Sequence, residues 1–289
     1  MANAKAQKLV DSVQTVASLP QLYNKLMQVL GDARSGAKEV GNVLSEDPGM
    51  VSRMLKLANS SFYGLPRKVD TISQAVTLIG LAQVRDLVLA SSVVATFKGL
   101  PETLVTMESF WQHSVATGLF ARSLARQIRG VNVESFFVGG LLVDLGRLLV
   151  CSKLPEEMRQ IVVMAELKKK NLHELELPKL GYDSGEVGAL LFEKWNLPDV
   201  FIEAARFQYR PMDKSLRNSR FVAGVHVGQF LSSAFGFGNP IDPFVSALSA
   251  EAWKAIGVST EQLPHVLSEV DGQFAEALQM LDLKPNAKA

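Results

Sequence analysis

The sequence predicts an all-α protein with two helical lobes, one N-terminal and one after it. Three observations carry this. Apolar residues recur at helical spacing along nearly all of the 289 residues, and no window sustains the alternation of a strand. Cap residues and Gly or Pro stops punctuate those stripes. The loop at Gly99-Leu100-Pro101 is the clearest internal boundary. It places one lobe at 12–100, a second at 101–283, and a frayed tail at 284–289.

The elements follow in order. Asp47-Pro48 starts a helix, because Asp accepts from free amides and Pro fits the first helical position. Met50, Val51, Met54, Leu55, Leu57 and Ala58 give its apolar stripe, ending at Asn59-Ser60. Thr71 to Gln74 fits a capping box, and the run after it stops at Gly80. Leu81 to Phe97 reads as the next helix, and Met107 to Ile128 as another before Gly130. Asn132 caps a very apolar helix, and Pro155 opens an amphipathic one. The segment Leu172 to Gly181 reads as a loop holding at most a short extended piece. Asp183 caps a helix to about Trp195. Helices follow at Asp199 to Phe207, Leu216 to Ala234, after Ser249 and after Thr260.

Composition excludes several classes. A net charge of +1 gives no field for nucleic acid or an anionic membrane. Lys168-Lys169-Lys170 is read as a solvated helix end. The single cysteine, Cys151, lies in an apolar run and reads as a buried hydrophobe. Residues Met1 to Val16 lack a signal-peptide core, and Phe136 to Cys151 is broken by Asp144 and Arg147. The expected compartment is the cytoplasm. No Gly-x-Ser-x-Gly elbow and no phosphate loop occurs.

The most informative stretch is Gly140-Leu141-Leu142-Val143-Asp144-Leu145-Gly146-Arg147. It resembles the Gly-Leu-Leu-His-Asp-Ile-Gly-Lys frame of the HD metal-dependent phosphohydrolases, with Val143 in place of the metal-binding His. Further matches are Leu19-Pro20, Glu46-Asp47-Pro48, the run from Leu55 to Gly64, and Ile72 to Gly80. Phe110-Trp111-Gln112-His113-Ser114, Val187 to Leu191 and Trp195-Asn196-Leu197-Pro198 extend them. Together, over about 19–211, the chain resembles the HDOD family, the HD-related output domains. That resemblance implies a helical fold and bacterial signal transduction, with response-regulator or cyclic-dinucleotide pathway proteins as partners.

The resemblance also assigns the old ligand positions. His113 matches the first His and Asp144 the Asp, while Val143 replaces the second His. Ser184, the Gln208-Tyr209 pair and Gln229 stand where active relatives carry further His and Asp ligands. Two donors are fewer than the three or so a catalytic transition-metal site keeps, and Ser or Gln oxygens are weak substitutes for imidazole. His226 precedes Gln229 by three residues and is positioned to face the same pocket, though a lone His on an apolar helix is ordinarily structural. His173 and His265 lie outside the frames. His113 and Asp144 alternatively tie two helices by a charge-assisted hydrogen bond, with Arg147 pairing Asp144.

The expectation is a non-catalytic regulatory module without cofactor, acting by protein or ligand binding. A candidate surface comprises Asp47, Asn59, Ser60, Tyr63 and Arg67. The bland reading of that region is helix capping and packing. The competing expectation is a divergent phosphohydrolase using His113 and Asp144.

Overall fold

The computed structural model describes residues 3–13, 19–32, 34–60, 63–64, 68–97, 104–238 and 241–283. The expected tail at 284–289, Arg67 and the Gly99–Pro101 loop lie outside them. Helices account for all regular structure among the described residues, and no strand occurs there. The chain divides into two compact units, one of residues 1–18 and 99–270, the other of 19–98 and 271–289.

The smaller unit holds α2 (Gln21–Gly31), α3 (Ala37–Leu44), α4 (Pro48–Ala58), α5 (Ile72–Ile79) and α6 (Leu81–Phe97). Asp47 caps α4 through Met50 N at 3.0 Å, with Pro48 at the first helical position. Thr71 caps α5 through Gln74 N at 3.2 Å. Gly80, at φ 101°, turns the chain sharply into α6. Core residues of α6 include Val84, Leu87, Val88 and Val93. Burial beside this core pushes the Tyr23 phenol up to about 12.

The larger unit is organised around α7 (Met107–Ala125), buried continuously from Phe110 to Ala125. It packs on α8 (Val133–Leu142) and α14 (Ser219–Ala234). Glycines make these crossings possible. A Cβ on Gly140 would lie 2.7 Å from the Gly118 backbone, and one on Gly228 would lie 2.8 Å from Thr117 O. Arg122 of α7 donates to both oxygens of Glu134 on α8 at 3.0 to 3.2 Å, both side chains about 3% exposed. The remaining helices are α9 (Leu145–Lys153), α10 (Pro155–Lys168), α11 (Leu172–Leu180), α12 (Ser184–Lys194), α13 (Asp199–Phe207) and α15 (Ala250–Ile256). The last, α16 (Leu263–Met280), contains the unit boundary at 270.

Three sequence expectations change. First, α1 (Ala4–Asp11) packs on α12 and α9, so the chain before residue 19 belongs with the larger unit. Asn3 anchors it, its N–H donating to Glu186 at 3.1 Å. Second, Leu172–Leu180 is a helix rather than a loop. Asn171 and Glu174 form its capping box, and Leu172, Leu175 and Leu180 are its buried side. Third, the stretch Gly140 to Arg147 does not lie within the single helix expected after Asn132: Val143 ends α8 and Asp144 starts α9. The stretch Val133–Lys153 is apolar enough to cross a bilayer by length and composition, and 89% of its most apolar window is buried within the fold. Cys151 lies inside it, its thiol pushed up to about 12 by burial.

Candidate functional site

The larger unit encloses a cavity of about 260 Å³ lined by His113, Asp144, Arg147, His173, Gln208, Tyr209, His226 and Gln229, among others. The junction between α8 and α9 brings Asp144 to it. The side chain of Val143, 1% exposed, is core, while its carbonyl accepts from Gln208 Nε2 at 3.2 Å.

His113 enters from α7 with fixed ring orientation. Its Nδ1 is 3.1 Å from the Phe237 carbonyl, an acceptor only, so Nδ1 carries the proton. Ser232 supports the same edge, its Oγ 3.1 Å from Nδ1. Gly238 lets the Phe237 loop sit this close, since a Cβ there would be 2.5 Å from His113 N. The other nitrogen, Nε2, is left as an acceptor and lies 3.8 Å from Asp144 Oδ2, beyond hydrogen-bond reach. Burial pushes this imidazole below its usual value, with Asp144 and the Phe237 carbonyl pulling the other way.

Amides stand at Gln208 and Gln229, two of the positions that the resemblance assigns. Gln229 Nε2 donates to Asp144 Oδ2 at 3.2 Å and to Gln208 Oε1 at 3.0 Å. Gln208 Nε2 in turn donates to the carbonyls of Val143 and Ala205. Every amide hydrogen in this chain of bonds is placed. His226 does face the cavity, but both ring nitrogens are engaged. Nδ1 is 2.8 Å from the Gln208 carbonyl and Nε2 accepts from Ser249 N at 3.2 Å. Burial lowers its basicity.

Arg147 is drawn chiefly to other partners than Asp144. It donates to Tyr209 Oη at 2.7 Å and lies 3.8 Å from Glu176 and 3.7 Å from Asp242. Burial opposes its charge, but Tyr209, Glu176, Asp242 and Asp144 hold the guanidinium firmly protonated. Ser184 belongs to this neighbouring cluster, its Oγ donating to Glu176 at 2.5 Å and its N–H at 2.7 Å. Burial raises the Glu176 carboxyl, opposed by Arg147 and Ser184. Tyr209 lies flat against His173, ring centres 4.1 Å apart.

Glu176, Asp242 and His173 are the functional neighbours that the frame alone misses. Glu176 and His173 ride on α11, whose signal was the Asn171/Glu174 cap pair with leucines at helical spacing. Asp242 caps the same helix from far along the chain, accepting from Leu172 N at 3.0 Å, and no local pattern announces that.

The residues present do not fit a divalent metal. His113 and Asp144 supply two donors, and Gln229 turns an N–H toward the carboxylate where a ligand would turn a lone pair. Among the described residues no group of three or more His, Cys, Asp or Glu is disposed to hold one.

Within the smaller unit, Asp47, Asn59 and Ser60 of the candidate surface serve local structure. Asp47 is the α4 cap, and Ser60 Oγ donates to Leu57 O at 2.7 Å. Asn59 is a staple: it accepts from Val69 N at 2.7 Å and donates to the carbonyls of Leu55 and Val69 at 2.8 Å. Tyr63 is half-buried.

Fold and cavity together define an all-helical domain that keeps a polar pocket whose ligand positions are largely amide and hydroxyl. Residues 16–211 match the HDOD domain, and the chain belongs to the HDOD family. It is 25% identical over 205 residues to an uncharacterised protein of Treponema pallidum (strain Nichols). That match covers 71% of this chain and 39% of the relative, so the chain spans less than half of that protein's length. Among solved structures it is similar to an HDOD domain protein of unknown function from Geobacter sulfurreducens, with a TM-score of 0.76, 21% identity and 96% of each chain covered. It is also similar to a candidate phosphohydrolase from Shewanella amazonensis SB2B, with a TM-score of 0.73, 27% identity, and 96% and 98% coverage. A candidate signal transduction protein from Marinobacter aquaeolei VT8 shares the fold at a TM-score of 0.64 and 20% identity, covering 91% of this chain and 58% of that one.

Proposed function

We propose that this protein is a non-catalytic signal-transduction module of a bacterial cytoplasm that acts by binding, with other regulatory proteins as partners. The single observation that carries this reading is the amide network around Asp144. Gln229 occupies one carboxylate oxygen with a donor, and Gln208 ties its own donors to backbone carbonyls. A metal-activated water needs a cation held by several lone pairs, and here the Gln229 amide offers the carboxylate a hydrogen. Response-regulator or cyclic-dinucleotide pathway proteins are the partner class that the family suggests.

The test is metal content of protein purified without chelator, together with turnover of cyclic nucleotides and phosphoesters in excess manganese. Sub-stoichiometric metal and no turnover are expected. Stoichiometric metal with turnover that disappears in Asp144→Ala overturns the reading.

One observation favours a second reading, a divergent phosphohydrolase. His113 keeps the tautomer of a metal-binding imidazole, Nδ1–H on a carbonyl and Nε2 free to accept, and the Shewanella amazonensis relative is described as a candidate phosphohydrolase. That reading requires His113→Ala to abolish both metal binding and activity.

A further inference from the structure

His113 Nε2 and Asp144 Oδ2 are two acceptors 3.8 Å apart, on side chains 2% and 9% exposed, opening on one cavity. The imidazole proton is committed to Phe237 on the far edge, so the ring has no hydrogen to offer across the gap. Two buried lone pairs facing each other are unfavourable unless a donor stands between them. The separation suits one shared donor within ordinary hydrogen-bond distance of both.

Charge limits what that donor is. Asp144, Asp242 and Glu174 line the cavity against the one guanidinium of Arg147. Asp242 and Glu176 neutralise that guanidinium, and Lys170 pairs with Glu174 at 3.2 Å, so Asp144 is the carboxylate whose charge a ligand meets. A phosphate here faces carboxylates without a free cation, whereas an ammonium is attracted. Phe230, Phe244 and Ala247 offer apolar lining for a short stem. The volume of about 260 Å³ far exceeds one water and falls below that of pockets for drug-sized ligands.

We propose that this cavity is a binding site for a small organic amine, its ammonium seated between His113 Nε2 and the Asp144 carboxylate. The inference rests on the non-catalytic reading, since a resident metal would compete for the same point.

The experiment uses the full chain and n-butylamine as the probe, with n-butanol and butyrate as controls of matching shape. Calorimetry measures binding, and long-range nitrogen NMR follows His113 Nε2. Saturable butylamine binding that shifts Nε2 is expected, with neither control doing so. Asp144→Asn is expected to weaken it at least about tenfold, the loss of one charge-assisted contact. Should that variant fail to fold, the Nε2 shift in the unaltered protein decides alone. No Nε2 response up to tens of millimolar butylamine, or an equal response to butyrate, overturns the proposal. Nα-acetyl-lysinamide separates two sources of the same group. Tighter binding than butylamine assigns the amine to a partner's lysine, weaker binding to a free metabolite, and both outcomes support the site. A parallel manganese titration separates the two failures. Manganese broadening of His113 with cyclic-nucleotide turnover defeats the non-catalytic reading, whereas silence toward both manganese and butylamine defeats only the amine site.

Discussion

Replacing Gly146 by Ala is expected to destabilise the larger unit severely. Gly146 is the second residue of α9, where that helix crosses α12. A Cβ there would stand 2.0 Å from Ser184 O, 2.4 Å from Gly188 N and 2.9 Å from Gly188 Cα. All three are backbone atoms, so no side chain can swing aside. Relieving the shortest contact to an ordinary 3.4 Å moves the two helix backbones about 1.4 Å apart. Overpacking of a close-packed core costs about 1–3 kcal/mol and sometimes more, and a rigid backbone clash belongs at the upper end. The helix preference of Ala over Gly offsets at most about 1 kcal/mol. The expected net loss is about 2–3 kcal/mol. Urea denaturation followed by circular dichroism measures it, with Gly272→Ala as the reference. Gly272 lies in α16 with nothing within 4 Å of its would-be Cβ, so Ala there should stabilise by up to about 1 kcal/mol. A Gly146→Ala midpoint at or above that of the unaltered protein refutes the backbone-contact argument.

Other perturbations test other parts. Val143→His buries an imidazole in core and should lower stability by about 1–3 kcal/mol without creating stoichiometric metal binding, as metal analysis would show. Arg122→Ala strands the Glu134 carboxylate and should cost about 3–5 kcal/mol in urea unfolding, much of it recovered by pairing it with Glu134→Ala. Asn59→Ala removes three hydrogen bonds in the smaller unit and should cost about 1–3 kcal/mol; a neutral result would return Asn59 to the candidate binding surface. Burial lowers His113, His173 and His226, so below about pH 6.5 the unfolded chain binds more protons than the folded one, and stability falls on acidification. Glu176, raised by burial, opposes this by up to one proton. Urea midpoints at pH 7.5 and 5.5 check the sign, and His173→Gln should flatten the slope.

Much of the fold was legible because its helix ends carry local chemistry. Asp47-Pro48, Thr71, Asn132, Asp183 and Ser249 each cap the helix that the pattern places after them. The misses arise where a helix draws its definition from elsewhere. α11 contains Pro178, and its first turn is also capped by Asp242, seventy residues away, so its own segment reads as ambiguous. α1 is short, and its place is set by packing on α9 and α12. In the cavity, Gln229 is bonded to Asp144. His226 lines the same pocket and is also a satisfied residue, both ring nitrogens engaged, as is usual for a lone His on an apolar helix. His173 matches no ligand position of the frame and rides on a segment that reads as a loop, and the preference of Arg147 for Glu176 and Asp242 follows from partners that sequence proximity to Asp144 does not reveal.

The linked amides of Gln229 and Gln208 also act as an evolutionary ratchet. Gln208→His deletes the donors that hold the Val143 and Ala205 carbonyls, and Gln229→Asp sets a second carboxylate against Asp144 while stripping Gln208 of its donor. Each single step back toward a metal centre therefore breaks bonds before any cation is there to replace them. On the proposed non-catalytic reading, a lineage that holds this arrangement has a downhill path only further away from catalysis.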